Sequence, residues 1–280
     1  MAFIHLNYYS AALKYQTDLN LILPTPDGDT DLMGENPPDF FARGRKYQVL
    51  YLLHGTSGDC YDWLHKTNAE RLAQQYRLAM VLPSCQNSFF CDMAWGPSYL
   101  KFLTQELPEF ITKMFPVSVK RENTFIAGLS MGGYGAWHAA LAAPDRFAAA
   151  ASLSGVLDFP RGDIIETHVR ELRSEIWPFR AILGEREFSE IADDPSLSLP
   201  ARIAELIEAQ KPLPKLFITV GTEDFTYQSN QQIREKLRKM NVPCGYTEGP
   251  GIHDWFYWGE HLRDVLEWLP LRGDTVPEAD

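Results

Sequence analysis

The sequence predicts an α/β fold with a mostly parallel sheet, and three observations predict it. Short β-prone runs near 47–53, 78–83, 124–128, 147–153, 216–220 and 244–248 alternate with helical patterns. Most of these runs are apolar throughout, as strands buried on both faces require. One of them discharges through a small-residue turn straight into an Ala-rich helical pattern, across Thr124-Phe-Ile-Ala-Gly-Leu-Ser-Met-Gly-Gly-Tyr-Gly-Ala-Trp-His-Ala-Ala140.

Composition narrows the function classes. The 280 residues carry 45% apolar and 22% charged side chains, which is globular, and the length suits one α/β domain with an insertion or two domains. Element spacing favours one domain, 1–280. A formal net charge of −11 argues against a nucleic-acid surface, which needs concentrated Lys and Arg, and acidity itself selects no substrate. Cys60, Cys85, Cys91 and Cys244 form no CxxC pair, so neither a zinc site nor a disulfide framework is indicated. They read as buried or idle thiols, with Cys85 and Cys91 near enough in sequence to pair in an exported protein. The first ten residues lack a basic stretch followed by an apolar one, and no run reaches membrane-span length. A cytoplasmic, reduced protein without a membrane partner is the expectation.

In chain order, 3–9 and 15–23 predict a hairpin at a sheet edge, the second run alternating from Tyr15 to Leu23 until Pro24 stops it. Residues 24–44 are rich in Asp, Gly and Pro and predict an exposed loop. Tyr47 to Leu53 reads as a buried central strand that exits into His54-Gly55-Thr56-Ser57-Gly58-Asp59. Helical spacing over 67–77 precedes a strand at 78–83. The following loop, 84–97, holds Phe89, Phe90, Met93 and Trp95, more large apolar groups than a solvated connection needs. Residues 98–115 show a strong apolar helical face that Pro116 ends.

Gly128-Leu129-Ser130-Met131-Gly132 matches the GxSxG nucleophile elbow, where a serine occupies a strained turn and small neighbours let strand and helix approach. Three fixed positions recur by chance in about one chain in ten at a glycine frequency of roughly 7%, so the strand-turn-helix context carries the assignment. A dinucleotide-binding turn would show GxGxxG spacing, which is missing. The elbow aims the Met131 N–H at the place where an oxyanion forms. The loop after the earlier strand supplies the second donor in this architecture, for which Thr56 is the candidate. His54 reads as a supporting residue rather than a base.

After the elbow helix and a break at Pro144-Asp145, a strand at 147–153 ends in Ser154-Gly155. Alternation then lapses from Val156 to Pro214 into about two helical stretches with Trp177, Pro178 and Phe179 between them, predicting a helical cap inserted over the serine. It resumes with a strand at 216–220, a helix at 226–240, a strand at 244–248 and a helix at 255–269. The acidic tail after Arg272 is expected to fray.

The chain order nucleophile, acid, histidine prunes the remaining candidates. Of seven histidines, His253 falls in the loop after the last strand, whereas His261 lies within the final helix. His138 sits about 12 Å along the elbow helix from Ser130, too far to act as base. Asp224 follows the strand at 216–220 and is the candidate acid, with Asp158 as rival; Asp254 suits a helix N-cap. The candidate catalytic set is therefore Ser130, Asp224 and His253, with Thr56 and Met131 N–H groups as oxyanion hole. Trp95, Trp177 and Phe225 are the candidate pocket wall. No metal or cofactor is called for.

These stretches, with Gly221-Thr222-Glu223-Asp224 and His253-Asp254-Trp255, resemble the esterase D branch of the α/β-hydrolases over nearly the whole chain. That branch includes S-formylglutathione hydrolases, feruloyl and acetyl-xylan esterases, and mycolyl transferases. The opening Asn7-Tyr8-Tyr9-Ser10 and Thr17-Asp18-Leu19-Asn20 is most similar to bacterial tributyrin esterases of the EstA type. The resemblance implies an α/β-hydrolase fold with an eight-stranded-type sheet, a carboxylesterase acting on small short-chain acyl esters, and a dimer or larger homo-oligomer such as a tetramer. Thioester, acetyl-xylan and feruloyl substrates are alternatives, as is acyl transfer to an alcohol; a peptidase lacks its expected binding domain. A silent binding protein on a hydrolase scaffold would have no need of Ser130, Asp224 and His253 together.

Overall fold

A computed structural model describes residues 1–26, 28, 43–160, 176–186 and 188–278. The strands are β1 (Ala2–Ser10), β2 (Tyr15–Leu23), β3 (Arg45–Lys46), β4 (Val49–Leu53), β5 (Ala79–Pro83), β6 (Thr124–Leu129), β7 (Ala149–Leu153), β8 (Lys215–Gly221), β9 (Cys244–Gly249) and β10 (Val276–Pro277). Eight of them form one sheet in the order β1-β2-β5-β4-β6-β7-β8-β9. The predicted hairpin is there, with β1 and β2 antiparallel and β2 antiparallel to β5. Every pairing from β5 to β9 is parallel.

Helices cover both faces. They are α1 (Asp62–Lys66), α2 (Ala69–Tyr76), α3 (Tyr99–Lys101, a π turn Phe102–Glu106, and Leu107–Met114), α4 (Met131–Ala142), α5 (Phe179–Leu183), α6 (Phe188–Ile191), α7 (Leu199–Glu208), α8 (Tyr227–Lys239) and α9 (Trp255–Trp268). Strand alternation divides the core: Val49, Tyr51 and Leu53 meet the layer holding Phe102, Tyr134, Trp137 and Ile233, while Leu50 and Leu52 meet Trp63, Leu72, Leu262 and Val265. The π turn lies just before Pro108, which has no N–H to offer the carbonyl of Thr104. The strand order reverses at β4, which has β5 on one side and β6 on the other. Its carboxyl end is the crevice where such sheets place ligands.

Two expectations need correction. The tail does not fray through 278: β10 pairs with β3, the Arg45 guanidinium binds Asp274 and Thr275, and buried Glu278 accepts from Ser118 Oγ and Val119 N–H. Local charge predicted solvation, but partners more than 150 residues away in sequence hold the segment. Phe179 is the first residue of α5 rather than part of a connection, and α7 packs against α4 and α8 with Leu199, Ile203 and Leu206 in the core. The helical stretch expected before Trp177 and most of the 24–44 loop lie outside the described residues. Among the described residues no helix is long and apolar enough to cross a membrane.

Candidate active site

β6 delivers Ser130 to the carboxyl edge of the sheet, where the backbone adopts φ 53°, ψ −120°. A non-glycine residue holds this conformation only under strain, on the order of 1–3 kcal/mol, which the surroundings must offset. They do so through hydrogen bonds: Ser130 N–H donates to Leu153 O, and Ser130 O accepts from the N–H groups of Gly133 and Val156. The glycines allow the close approach this needs. A Cβ on Gly132 would lie 2.4 Å from His54 O, and one on Gly128 2.3 Å from Gly132 O. α4 is itself built largely of glycine, alanine and apolar side chains and is buried along nearly its whole length.

The loops after β8 and β9 bring in the other two groups. Ser130 Oγ donates to His253 Nε2 at 2.9 Å, and His253 Nδ1–H donates to the Asp224 carboxylate at 2.9 and 3.0 Å. The Asp224 side chain is fully buried and also accepts from Thr226 N–H and Oγ1–H. Burial works against its charged form. The His253 hydrogen bond and charge, with the Thr226 N–H, outweigh that and hold the carboxyl below its ordinary pKa. Asp224 therefore stays ionised and, by accepting from Nδ1–H, sets the tautomer in which His253 Nε2 is the acceptor facing Ser130 Oγ.

Glu223 performs a task the sequence did not disclose. Its N–H donates to Gly251 O, and its carboxylate accepts from Gly251 N–H at 2.6 Å, two residues before His253. Thr222 N–H adds a bond to Gly249 O, so the loop carrying Asp224 is laced to the loop carrying His253. The Gly251 N–H holds the Glu223 carboxyl below its usual value. The other candidates fall elsewhere. Asp254 caps α9 by accepting from Tyr257 N–H, His261 bonds Asp264, and buried His138 bonds Ser196 O. Asp224, not the rival Asp158, occupies His253 Nδ1.

His54 is confirmed as a support. Its Nε2 accepts from Cys85 N–H and its Nδ1–H donates to Gly55 O at 2.7 Å, an assignment that leaves the buried ring neutral, consistent with a pKa lowered by burial. Gly55 O also accepts from Gly58 N–H. Carbonyl and N–H point oppositely across a trans peptide, so pinning Gly55 O directs the Thr56 N–H away from the ring. Among the described residues nothing accepts from the N–H of Thr56 or of Met131. Gly55 packs beside Ser130, which puts both donors at the elbow.

The arrangement has known relatives. The esterase family described as "Putative esterase" matches residues 24–269. The chain belongs to this esterase family. An acetyl esterase of Caldicellulosiruptor saccharolyticus is 32% identical, covering 98% of this chain and 100% of its own. Among solved structures, the substrate-bound fluorophosphonate-binding serine hydrolase FphF of Staphylococcus aureus is 31% identical at a TM-score of 0.82, covering 96% of this chain and 98% of that one. The S-formylglutathione hydrolase FrmB of the same organism is 31% identical at 0.79, with the same coverage. The esterase has the α/β-hydrolase fold and is a carboxylic-ester hydrolase.

The candidate pocket residues divide unevenly in this esterase. Phe225 packs against the His253 ring at 4.2 Å, tilted by 42°, with 58% of its surface exposed, and Trp258 meets the same ring edge-on at 4.9 Å. Trp177 donates its indole N–H to Thr56 Oγ1 at 2.9 Å, placing it at the loop that carries the candidate oxyanion donor. Trp95 is different: 55% exposed, it is tied through its backbone N–H to Ala181 O, and no contact among the described residues brings it to Ser130. The aromatic run 255–258 was the available signal for Trp258, whereas nothing local pointed to Glu223. All four cysteines are free. Burial pushes the thiols up, Cys60 to about 11 and Cys91 and Cys244 to about 12, so they stay protonated. Among the described residues no group of three His, Cys, Asp or Glu is placed to hold a metal.

Proposed function

We propose that the esterase is a serine carboxylesterase of short-chain acyl esters, acetyl to butyryl, working through a Ser130-His253-Asp224 acyl-enzyme mechanism. The observation that carries this reading is the continuous hydrogen-bond relay from Ser130 Oγ through His253 to buried Asp224. His253 removes the Ser130 proton as Oγ attacks the ester carbonyl. Thr56 and Met131 N–H groups receive the oxyanion. His253 returns the proton to the departing alcohol, leaving an acyl-enzyme, and a water deprotonated by the same imidazole then releases the acid. Asp224 stabilises the imidazolium formed in each half-reaction.

Full-length similarity to an acetyl esterase supports the short acyl group. We read the chain as one domain with 156–214 inserted between β7 and β8, acting on small esters in the cytoplasm as a homo-oligomer. The test is hydrolysis of p-nitrophenyl esters from acetyl to decanoyl, with Ser130→Ala alongside. A maximum at acetyl to butyryl that drops by roughly 10⁴-fold or more in the variant supports the reading; retained turnover in the variant overturns the assignment of the nucleophile. Similarity to FrmB favours a second reading, a thioesterase for S-formylglutathione, which wins if that substrate exceeds the best simple ester in kcat/KM.

A further inference from the structure

The oxyanion loop is held from a direction that the triad does not explain. Trp177 donates its indole N–H to Thr56 Oγ1 at 2.9 Å. One residue on, Ser57 N–H donates to Asn87 Oδ1 at 2.7 Å, and Asn87 Nδ2–H donates to Ile176 O at 2.7 Å. Two consecutive residues of the loop are thus tied to two consecutive residues leading into α5, one directly and one through a carboxamide. Ser57 has φ 61°, a turn a serine does not favour, so the Asn87 bond sits where the loop most needs holding. The chain at 176–183 is itself seated on the loop after β5, because Ala94 and Trp95 N–H groups donate to Ile182 and Ala181 carbonyls at 3.1 and 2.9 Å.

We propose that Trp177 and Asn87 are positioning residues for the oxyanion hole, fixing the Thr56 N–H by tying its loop to the segment that enters α5. This rests on the reading of Thr56 as an oxyanion donor. His54 orients the Gly55–Thr56 peptide through Gly55 O, and the Trp177 and Asn87 bonds hold the Thr56 side chain and the Ser57 N–H that follow it. Oxyanion stabilisation depends on donors already in place when charge develops, since reorganisation at that moment costs what the bond would contribute. Trp177 acts on the transition state through Thr56, beyond any contact of its ring with substrate. Substrate groups that disturb the seating of 176–177 then slow acylation even where they bind well.

The test compares Thr56→Val, Thr56→Ser, Trp177→Phe, Asn87→Ala and the double variant Trp177→Phe/Thr56→Val on p-nitrophenyl acetate. Affinity for an alkyl trifluoromethyl ketone is measured alongside, because its adduct with the serine places an oxyanion in the hole. Trp177→Phe and Thr56→Val should each lower kcat about tenfold, part of the 10²–10³ that loss of a whole donor costs, with KM within about twofold. Ketone affinity should fall in parallel, the double variant should be no worse than the poorer single, and Thr56→Ser should recover most of what Thr56→Val loses. Asn87→Ala should show the same kcat loss if Trp177→Phe fails to fold. Unchanged kcat, a change confined to KM, or losses that multiply in the double variant overturn the proposal. Those results with an inactive Ser130→Ala leave the parent reading intact, whereas an active Ser130→Ala removes both.

Discussion

Ser130 and His253 share a 2.9 Å hydrogen bond but reach it from opposite kinds of structure. Ser130 stands on one contiguous strand-turn-helix unit at the middle of the sheet, 9% exposed, its backbone conformation set by neighbours one to four residues away and by the strands beside it. His253 stands on a loop after β9, an edge strand of the sheet whose residues are mostly half-buried. It is placed by Asp224, Phe225 and Trp258, with Glu223 gripping Gly251 beneath it. Ser130 is held by backbone hydrogen bonds and close glycine contacts within the buried elbow, and the His253 ring by a few directed polar and aromatic contacts to its side chain. Backbone at Gly128 and Gly132 tolerates no added volume, as at Gly221 beneath His253, while the contacts that hold the imidazole itself loosen by degrees.

The sharpest way to break this comparison is Gly132→Ala. The added methyl would lie 2.4 Å from His54 O and 2.8 Å from Leu53 O, both backbone atoms that cannot swing aside. A loss of about 3 kcal/mol or more of stability is expected, together with esterase activity, measured by urea melts and p-nitrophenyl acetate turnover. A stable, active variant would show that the elbow yields like a loop.

The elbow helix also carries buried His138, whose pKa burial lowers to about 4. The unfolded chain takes up a proton below pH 6.5 and the folded chain only near 4, so this contribution to stability is intact above pH 6.5. It is lost as pH falls toward 4, levelling at about 3 kcal/mol. His138→Gln keeps a donor for Ser196 O and should flatten this part of the stability profile between pH 7 and 4. An unchanged profile would place the acid sensitivity elsewhere.

Smaller and confined to catalysis is the effect expected of Glu223→Ala. It removes the side-chain grip on Gly251 while leaving Asp224 and His253 in place, and kcat should fall roughly ten- to a hundredfold as the imidazole wanders, with little change in KM or in thermal midpoint. Glu223→Gln, which keeps an acceptor, should lose less. A Glu223→Ala enzyme with unaltered kcat would mean that Asp224 and the flanking rings hold the histidine without help.

The two regions were unequally legible. The elbow was readable because its motif is local: glycines at fixed offsets and a strand-to-helix change within 17 residues. The late strands and chain order pointed to Asp224 and His253, which the structure joins to Ser130 by hydrogen bonds because loops at the carboxyl ends of neighbouring parallel strands meet. Finer choices were not readable. Trp95 and Trp177 looked alike as aromatic residues on connections, yet one is tied to α5 and the other reaches Thr56. The tail looked solvated by composition, but Glu278 finds buried partners at Ser118 and Val119.

By itself the sequence determined the run of strands and helices, the strained serine turn and the order of the catalytic candidates. Each of these depends on periodicity, glycine placement or offset within a few residues. Only the tertiary structure decided that Asp224 turns to His253 while Glu223 turns to Gly251, and that Trp177 meets a threonine 121 residues before it. Those pairings follow from sheet register and the packing of loops across it. Their free energy exists only once both partners have been brought within hydrogen-bond distance, and no local pattern encodes that distance.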